Sequence, residues 1–329
     1  MTDPCNLIFV HTKTDAIRGN LLTEKVDIIE VSPRDGIQNE KTILSTNAKL
    51  ELIQRAIQAG IRALEVTSFV NPKLVPQMAD ADEVAAQLSM RDDTRYIGLV
   101  LNERGFSRAV AAGLKDVNCV IVATETFNRR NQGVSVKETM ESLRRIVGLA
   151  KAEGIRCGVT IGASFGCPFE GEVSVKRVAD LAEKIVGFSP DELALADTIG
   201  AAAPSDIRSK VKVVQDVAGD IPIRCHLHNT RNTGIANALA AIEAGVARID
   251  ASIGGVGGCP FAPAATGNIP TEDLVYMLDR MGIRTGVDAN ALIEIAHWLG
   301  EQIGSNPPGM LQRAGMFPPP SEKTAVLAS

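Results

Sequence analysis

The sequence contains no apolar run approaching the roughly 18 residues that a membrane span needs, so no membrane-spanning protein is expected. Aromatic residues are scarce, 4% of 329, with one tryptophan and two tyrosines. That argues against a stacking platform for single-stranded nucleic acid. Positive charge is not in excess: 34 lysines and arginines face 39 acidic residues, a net charge of −5. With no global basic footprint, neither nucleic acid nor membrane is an expected partner. None of the six cysteines forms a CxxC pair, and most lie in apolar strand-like runs, where a thiol acts as a small hydrophobe. This is reduced, intracellular usage rather than a disulfide framework. The first residues show neither a charged region followed by an apolar stretch nor an Arg/Ser-rich pattern. No signal or transit peptide is read, and the cytoplasm is the expected compartment.

What is present is an ordinary globular balance, 45% hydrophobic and 22% charged. Short β-branched runs alternate with longer helical patterns. The runs predict strands at 26–31, 62–66, 95–101, 116–122, 155–162, 191–196, 222–228 and 248–253. Helices are predicted at 46–59, 79–88, 104–112, 136–153, 174–187, 205–218, 232–244 and 271–280. Gly60, Gly113, Gly154, Gly245 and Gly282 stand where left-handed helix caps belong. Eight strand–helix units in about 250 residues point to the α/β class and a (β/α)8 TIM barrel. A doubly wound sheet would want a glycine fingerprint after the first strand, and Ser32–Gly36 (SPRDG) stands there instead. Residues 1–304 are read as one barrel domain, with an extra C-terminal helix over 288–303 and an irregular, proline-rich tail over 305–329.

In such a barrel the active site lies at the C-terminal ends of the strands. Arg34 and Asp35 follow strand one, Glu65 ends strand two, Glu125 follows strand four and Asp197 follows strand six. His226 and His228 end strand seven, and a glycine-rich stretch from Gly254 to Cys259 follows strand eight. Nearly every strand thus delivers a polar or reactive group to one rim. The two histidines at i, i+2 share one strand face, with Cys225 and Leu227 on the other. Two neutral imidazoles on one face suit a divalent metal, and a carboxylate plus an amide oxygen would make the set one for Mg2+ or Mn2+. Plainer readings stand beside these. Pro33–Gly36 also reads as a simple turn, Glu65 as a structural partner of an arginine, and Asn268 as a cap for the eighth helix. Cys259 on its loop is either an acid, a nucleophile or a free thiol in a turn, whereas Cys157 and Cys167 read as structural.

Six stretches carry a family resemblance: Ser32–Lys41 (SPRDGIQNEK), Glu65–Met78 (EVTSFVNPKLVPQM), Gly166–Val173 (GCPFEGEV), Ala196–Gly200 (ADTIG), His226–Thr230 (HLHNT) and Gly254–Leu278 (GGVGGCPFAPAATGNIPTEDLVYML). The chain resembles the 3-hydroxy-3-methylglutaryl-CoA lyase family of metal-dependent barrel lyases and Claisen synthases. The resemblance implies Mg2+ or Mn2+ held by Asp35, His226, His228 and Asn268. It implies an enolate-stabilising Arg34, active-site carboxylates at Glu65 and Asp197, and a catalytic-loop Cys259. Gln38, Lys41 and Ser68 fall in substrate-facing motifs. An acyl-CoA substrate, a homodimer or higher homo-oligomer, and a place in leucine degradation and ketone body metabolism follow from the same resemblance. One departure stands out: typical members read HxHDTYG after strand seven, and here Asn229 and Arg231 replace the aspartate and tyrosine. Arg231 becomes a candidate contact to a substrate carboxylate, and a related thioester such as citramalyl-CoA becomes an alternative substrate.

The expected reaction splits 3-hydroxy-3-methylglutaryl-CoA into acetyl-CoA and acetoacetate. The hydroxyl must be acidified, its proton taken, by Asp35 or a neighbour, and the enolate held by Arg34 and protonated by Cys259. The negative total charge is awkward for CoA, so local positive charge near Lys41 must offset it. A non-catalytic scaffold barrel predicts a decayed rim, and the rim is intact. A Claisen synthase is the other competing class. Cys259, alone on a glycine-rich loop, is expected to be the reactive thiol: alkylation should inactivate the protein, and substrate should protect it. Peptide mapping checks this, and an inactivating adduct on another cysteine overturns the loop reading.

Overall fold

The computed structural model describes residues 23–258 and 267–319. Eight parallel strands close into a barrel in sequence order. They are β1 (Asp27–Glu30), β2 (Ala63–Ser68), β3 (Arg95–Val100), β4 (Asp116–Val122), β5 (Arg156–Gly162), β6 (Glu192–Asp197), β7 (Ile223–Leu227) and β8 (Arg248–Ala251). Each lies within a residue or two of its expected run. The ring closes where β1 aligns with β8, from Asp27 opposite Arg248 to Glu30 opposite Ala251.

The surrounding helices are α1 (Thr46–Gln58), α2 (Ala81–Ala86), α3 (Glu103–Ala111), α4 (Glu125–Gln132), α5 (Val136–Glu153), α6 (Val175–Val186), α7 (Pro204–Ala218), α8 (Gly234–Glu243), α9 (Thr271–Arg280) and α10 (Ala289–Ile303). Their starts follow local chemistry. Ser135 caps α5 in a reciprocal box with Glu138, and Ser45, Asn102 and Ser174 each accept a first-turn N–H of α1, α3 and α6. The five expected glycine stops all take positive φ, between +66° and +105°. At Gly60 a side chain is excluded twice over: φ is +105°, and a Cβ would stand 2.3 Å from the Gly286 carbonyl oxygen. Helix α4 was not expected from periodicity, because ETFNRRNQ buries only Phe127 and Asn128. Asn128 anchors it, accepting Val122 N–H at 3.0 Å and donating to Val134 O at 2.9 Å.

Alternation along the strands sorts side chains into two layers. Outward residues such as Leu64, Cys119, Ile121, Val159, Leu195 and Cys225 merge with the helices into one apolar core. Inside the barrel the apolar cluster is small: Ile29, Val31, Ala63 and Ile97. The interior also carries buried polar groups, Glu65, Asn118, Glu192, Arg224 and Asp250 among them. Arg224, 1% exposed, is the central cation. Its Nε lies 3.5 Å from Asp250 Oδ1 and 3.6 Å from Glu192 Oε1. Glu192 is also held by Arg248 at 2.8 Å.

The tail is irregular over most of its described length but carries one short helix, α11 (Leu311–Ala314). Among the described residues no helix is long and apolar enough to cross a membrane.

Glu272 on α9 is fully buried and accepts Gly254 N–H at 3.0 Å. Burial pushes its pKa up to about 8. An unfolded chain releases this proton near the ordinary glutamate value, so across the window up to about 8 the folded state holds the extra proton. Stability must then fall as pH rises from about 5 to about 8, by on the order of a few kcal/mol. Urea titrations at the two ends of that window should show a smaller difference for Glu272→Gln than for the parent. Equal differences would remove Glu272 as the source.

Candidate active site

The turn after β1 is a single π-helical turn, Ser32–Gly36, opened by Pro33. Its shape follows from two bonds to one carbonyl: Val31 O accepts both Arg34 N–H and Gly36 N–H at 3.1 Å. Buried Glu30 fixes the turn from below, accepting Ser32 N–H at 2.8 Å, Ile253 N–H at 3.0 Å and the Thr271 hydroxyl at 2.7 Å. The turn presents Arg34 and Asp35 to the barrel mouth. Arg34 Nε donates to Glu65 Oε2 at 2.6 Å, its Nη2 reaches the same oxygen, and its Nη1 donates to Asp35 Oδ1 at 2.5 Å. Glu65 therefore fills its plain role, an arginine's partner, and that arginine is itself a site residue. Asn118 Nδ2 holds the other Glu65 oxygen at 2.8 Å and also contacts the Thr160 hydroxyl at 3.0 Å.

His226 and His228 converge with Asp35. Their Nε2 atoms are 3.1 Å apart and lie 3.7 and 3.9 Å from Asp35 Oδ2. One ligand atom from each of the three residues falls within 4.8 Å of the others. Neutral imidazoles can place one proton at most between two facing Nε2 atoms, so a shared cation satisfies this trio in a way that protons do not. Asp250 Oδ2, 3.1 Å from His226 Nδ1, accepts the proton there and leaves the Nε2 lone pair free for the centre. The donor set thus fits a divalent cation. Asn268 Nδ2 donates to Asp35 Oδ2 at 2.9 Å and to Val256 O at 3.2 Å, so its amide props the carboxylate. It does not cap α9, whose N-cap is Pro270.

The electrostatics suit a ligand set. Burial alone would raise the Asp35 pKa, but Arg34, the two histidines and the Asn268 bond hold it well below the usual carboxylate range. Glu65 is likewise lowered against its burial, by Arg34, Arg224 and Asn118. Burial and then the neighbouring His226 push His228 down to about 4. For His226 burial opposes protonation, and the Asp250 bond and Asp35 outweigh it and raise the pKa.

A cavity of about 770 Å³ opens over this cluster, lined by Arg34, Asp35, Gln38, Asn118, His226 and His228 and running out to Arg130 and Arg145. The other expected residues are placed differently. Gln38 lines the cavity with a buried Oε1 that has no partner among the described residues. Ser68 is buried at the end of β2, outside the cavity wall, and Lys41 is exposed. Both Asp197 oxygens accept backbone N–H groups, from Ala201 at 2.8 Å and Ala202 at 3.1 Å, so this carboxylate shapes the turn after β6. Arg231 Nη1 donates to Ile199 O and Gly200 O at 2.9 Å. Asn229 Oδ1 accepts Gly234 N–H at the start of α8. Glu125 starts α4 and accepts Val136 N–H at 3.0 Å. Cys259 lies outside the described residues. The segment leading to it is packed: Gly254 and Gly255 are buried, and their N–H groups are spent on Glu272 and Ser252 O. Asn118, Thr160, Asp250 and Glu30 were not expected. Their signal was a polar residue inside an apolar strand run.

A closed parallel barrel whose C-terminal mouth gathers an arginine, a carboxylate and two imidazoles over a deep cavity is the frame of a barrel enzyme with a place for a cation. The family model described as HMGL-like matches residues 25–299. An (R)-citramalyl-CoA lyase from Chloroflexus aurantiacus is 43% identical over 302 residues, 89% of this chain and 95% of that protein. The human mitochondrial hydroxymethylglutaryl-CoA lyase is 39% identical over 278 residues, 84% of this chain and 86% of that one. Among solved structures, an HMG-CoA lyase from Acinetobacter baumannii in complex with coenzyme A and 3-methylmalate superposes with a TM-score of 0.88, at 37% identity, covering 91% of this chain and 98% of that one. The chain belongs to the HMGL-like family and is a carbon–carbon lyase.

Arg34→Gln should lower kcat by a factor of about 10²–10³, because it removes the charge nearest Asp35, and should also lower the thermal melt, because it leaves buried Glu65 without its main partner. Steady-state kinetics on a folded variant checks this, and a near-normal kcat would take Arg34 out of the chemistry.

Proposed function

We propose that this lyase cleaves (S)-3-hydroxy-3-methylglutaryl-CoA to acetyl-CoA and acetoacetate, with Mg2+ or Mn2+ held by Asp35, His226 and His228. The observation that carries the reading is the meeting of those three ligand atoms beside Arg34 at the cavity floor. The bound cation would acidify the C3 hydroxyl by polarising its oxygen. Once a base in the cavity takes the hydroxyl proton, the C2–C3 bond breaks, its electron pair passes to the thioester as an enolate, and C3 becomes a ketone. Protonation at C2 completes acetyl-CoA.

The chain's residues divide this work. Arg34 carries five N–H donors, of which Glu65 and Asp35 engage three. Those that remain, on Nη1 and Nη2, are free for the developing enolate oxygen, and Glu65 with Asn118 fixes the plane of the guanidinium. A carboxylate held as low as Asp35 is a poor proton acceptor and a good ligand, so its part is to bind and orient. Cys259, one residue past Gly258, is the thiol assigned to protonating C2. Gln38, with its unpartnered oxygen in the cavity wall, is placed to accept a substrate N–H or hydroxyl. Arg130 and Arg145 near the outer cavity supply local positive charge for the CoA phosphates, whereas Lys41 is exposed and does not line the cavity.

A second reading is (R)-citramalyl-CoA, favoured by the relative at 43% identity. Its acyl group is shorter by one methylene between C3 and the distal carboxylate, and the same bond cleavage yields acetyl-CoA and pyruvate. Asn229 and Arg231 do not line the cavity and bond to the connections around α8 and after β6, so they give little ground for choosing between the two.

Giving the purified protein each thioester with MgCl2 and measuring acetoacetate against pyruvate decides the substrate. The expected outcome is acetoacetate, lost on exhaustive chelation and restored by Mn2+ or Mg2+. Faster pyruvate release would move the assignment to the second reading, and full turnover after chelation would sink the cation.

A further inference from the structure

The tail reaches the active site by a route that its sequence does not announce. Gly309 N–H donates to Gly254 O at 2.9 Å. On its other side Gly254 donates its own N–H to Glu272 Oε2 at 3.0 Å. Its φ is +72°, and a Cβ there would stand 2.7 Å from Pro307 Cβ, so the proline ring is seated directly on it. A Cβ on Gly309 would stand 2.2 Å from Glu272 Oε1, which leaves no room for a side chain at that crossing. The turn that makes these contacts is itself tied down. Asp273 accepts Met310 N–H at 3.0 Å and Leu311 N–H at 2.7 Å, and Gln312 Nε2 donates to Pro307 O at 2.6 Å and Gly309 O at 3.2 Å.

From Gly254 the contacts continue to the catalytic cluster. Val256 O accepts Asn268 Nδ2 at 3.2 Å, and the same amide nitrogen props Asp35 Oδ2 at 2.9 Å. A Cβ on Gly257 would lie 2.6 Å from Asn268 Nδ2 and 3.0 Å from Gly36 Cα, so this backbone lies hard against both. We infer that residues 307–312 are a brace: they fix Gly254, and through Gly254–Gly257 they position Asn268 and Asp35. A tail serving only to cover the barrel would end on the outer faces of α9 and α10. This one hydrogen-bonds to the backbone of the segment that packs on Asp35. Asp273 and Gln312 are therefore positioning residues, although neither touches the cavity.

The inference rests on the cation reading of the site, and its test separates the two. The probes are Mn2+ alone and amide hydrogen exchange, applied to the full chain carrying Asp273→Ala, and to Asp273→Ala with Gln312→Ala. The brace predicts faster exchange in residues 253–258, Mn2+ bound about tenfold more weakly, and kcat lowered about tenfold with KM within about twofold. A loss of overall stability alone would speed exchange throughout the core instead of in 253–258 and, well below the melting temperature, would leave Mn2+ affinity and kcat unchanged. Unchanged exchange in a folded Asp273→Ala, Gln312→Ala variant overturns the brace. If the parent itself binds no Mn2+, the cation reading fails, and the exchange comparison still decides the brace.

Discussion

A cation buried in the middle of the barrel is the constraint on which the site depends. Arg224 lies between Glu192 and Asp250, at distances of 3.6 and 3.5 Å from their oxygens. Its charge is costly to bury and is tolerable only because carboxylates surround it; equally, those carboxylates are tolerable only because it is there. Asp250 then has a free face for His226, and Glu65, whose pKa Arg224 also lowers, has one for Arg34. Most barrels of this kind fill their interior with branched aliphatic layers. Here much of that space holds an ion network, and the reactive groups at the mouth are its upper end.

This arrangement makes the groups at the barrel mouth rigid by electrostatics more than by packing. Arg34 is gripped by two carboxylates, Asp35 by an arginine and an amide, and His226 by an aspartate. Each has one direction left unsatisfied, and those directions meet at the cavity. Preorganised charge of this sort needs little rearrangement when charge develops in a transition state.

The sequence made the barrel legible because its eight apolar runs, serine caps and glycine stops agree with one another at each level. It made the rim legible because Asp35, Glu65 and the His226–His228 pair end strands or follow them. It hid what lies one layer down. Asn118 and Asp250 sit inside strand runs where a single polar residue carries little weight, and their partners are distant in the chain. Helix α4 was hidden for the opposite reason, being too polar to show a stripe. Asp197 and Arg231 stand at the rim by position, yet both are occupied with backbone groups of the turn after β6. Strand-end position therefore identifies which residues can reach the mouth, and only the hydrogen bonds show which ones do.

The three bonds made by Glu30 have a consequence for how the molecule comes into being. Its partners are Ser32, Ile253 and Thr271, the last of them 241 residues away. The turn that carries Arg34 and Asp35 is therefore made long before two of the three groups that lock it. Closure of β1 against β8 spans a comparable distance in the chain, from Glu30 to Ala251. A growing chain can fold its local strand–helix units early, but loop-closure entropy holds back contacts of this span until the far end arrives. Until residues 253–271 have been made, therefore, the nascent chain carries Arg34 and Asp35 on a turn that nothing yet locks, and the cluster at the barrel mouth assembles late.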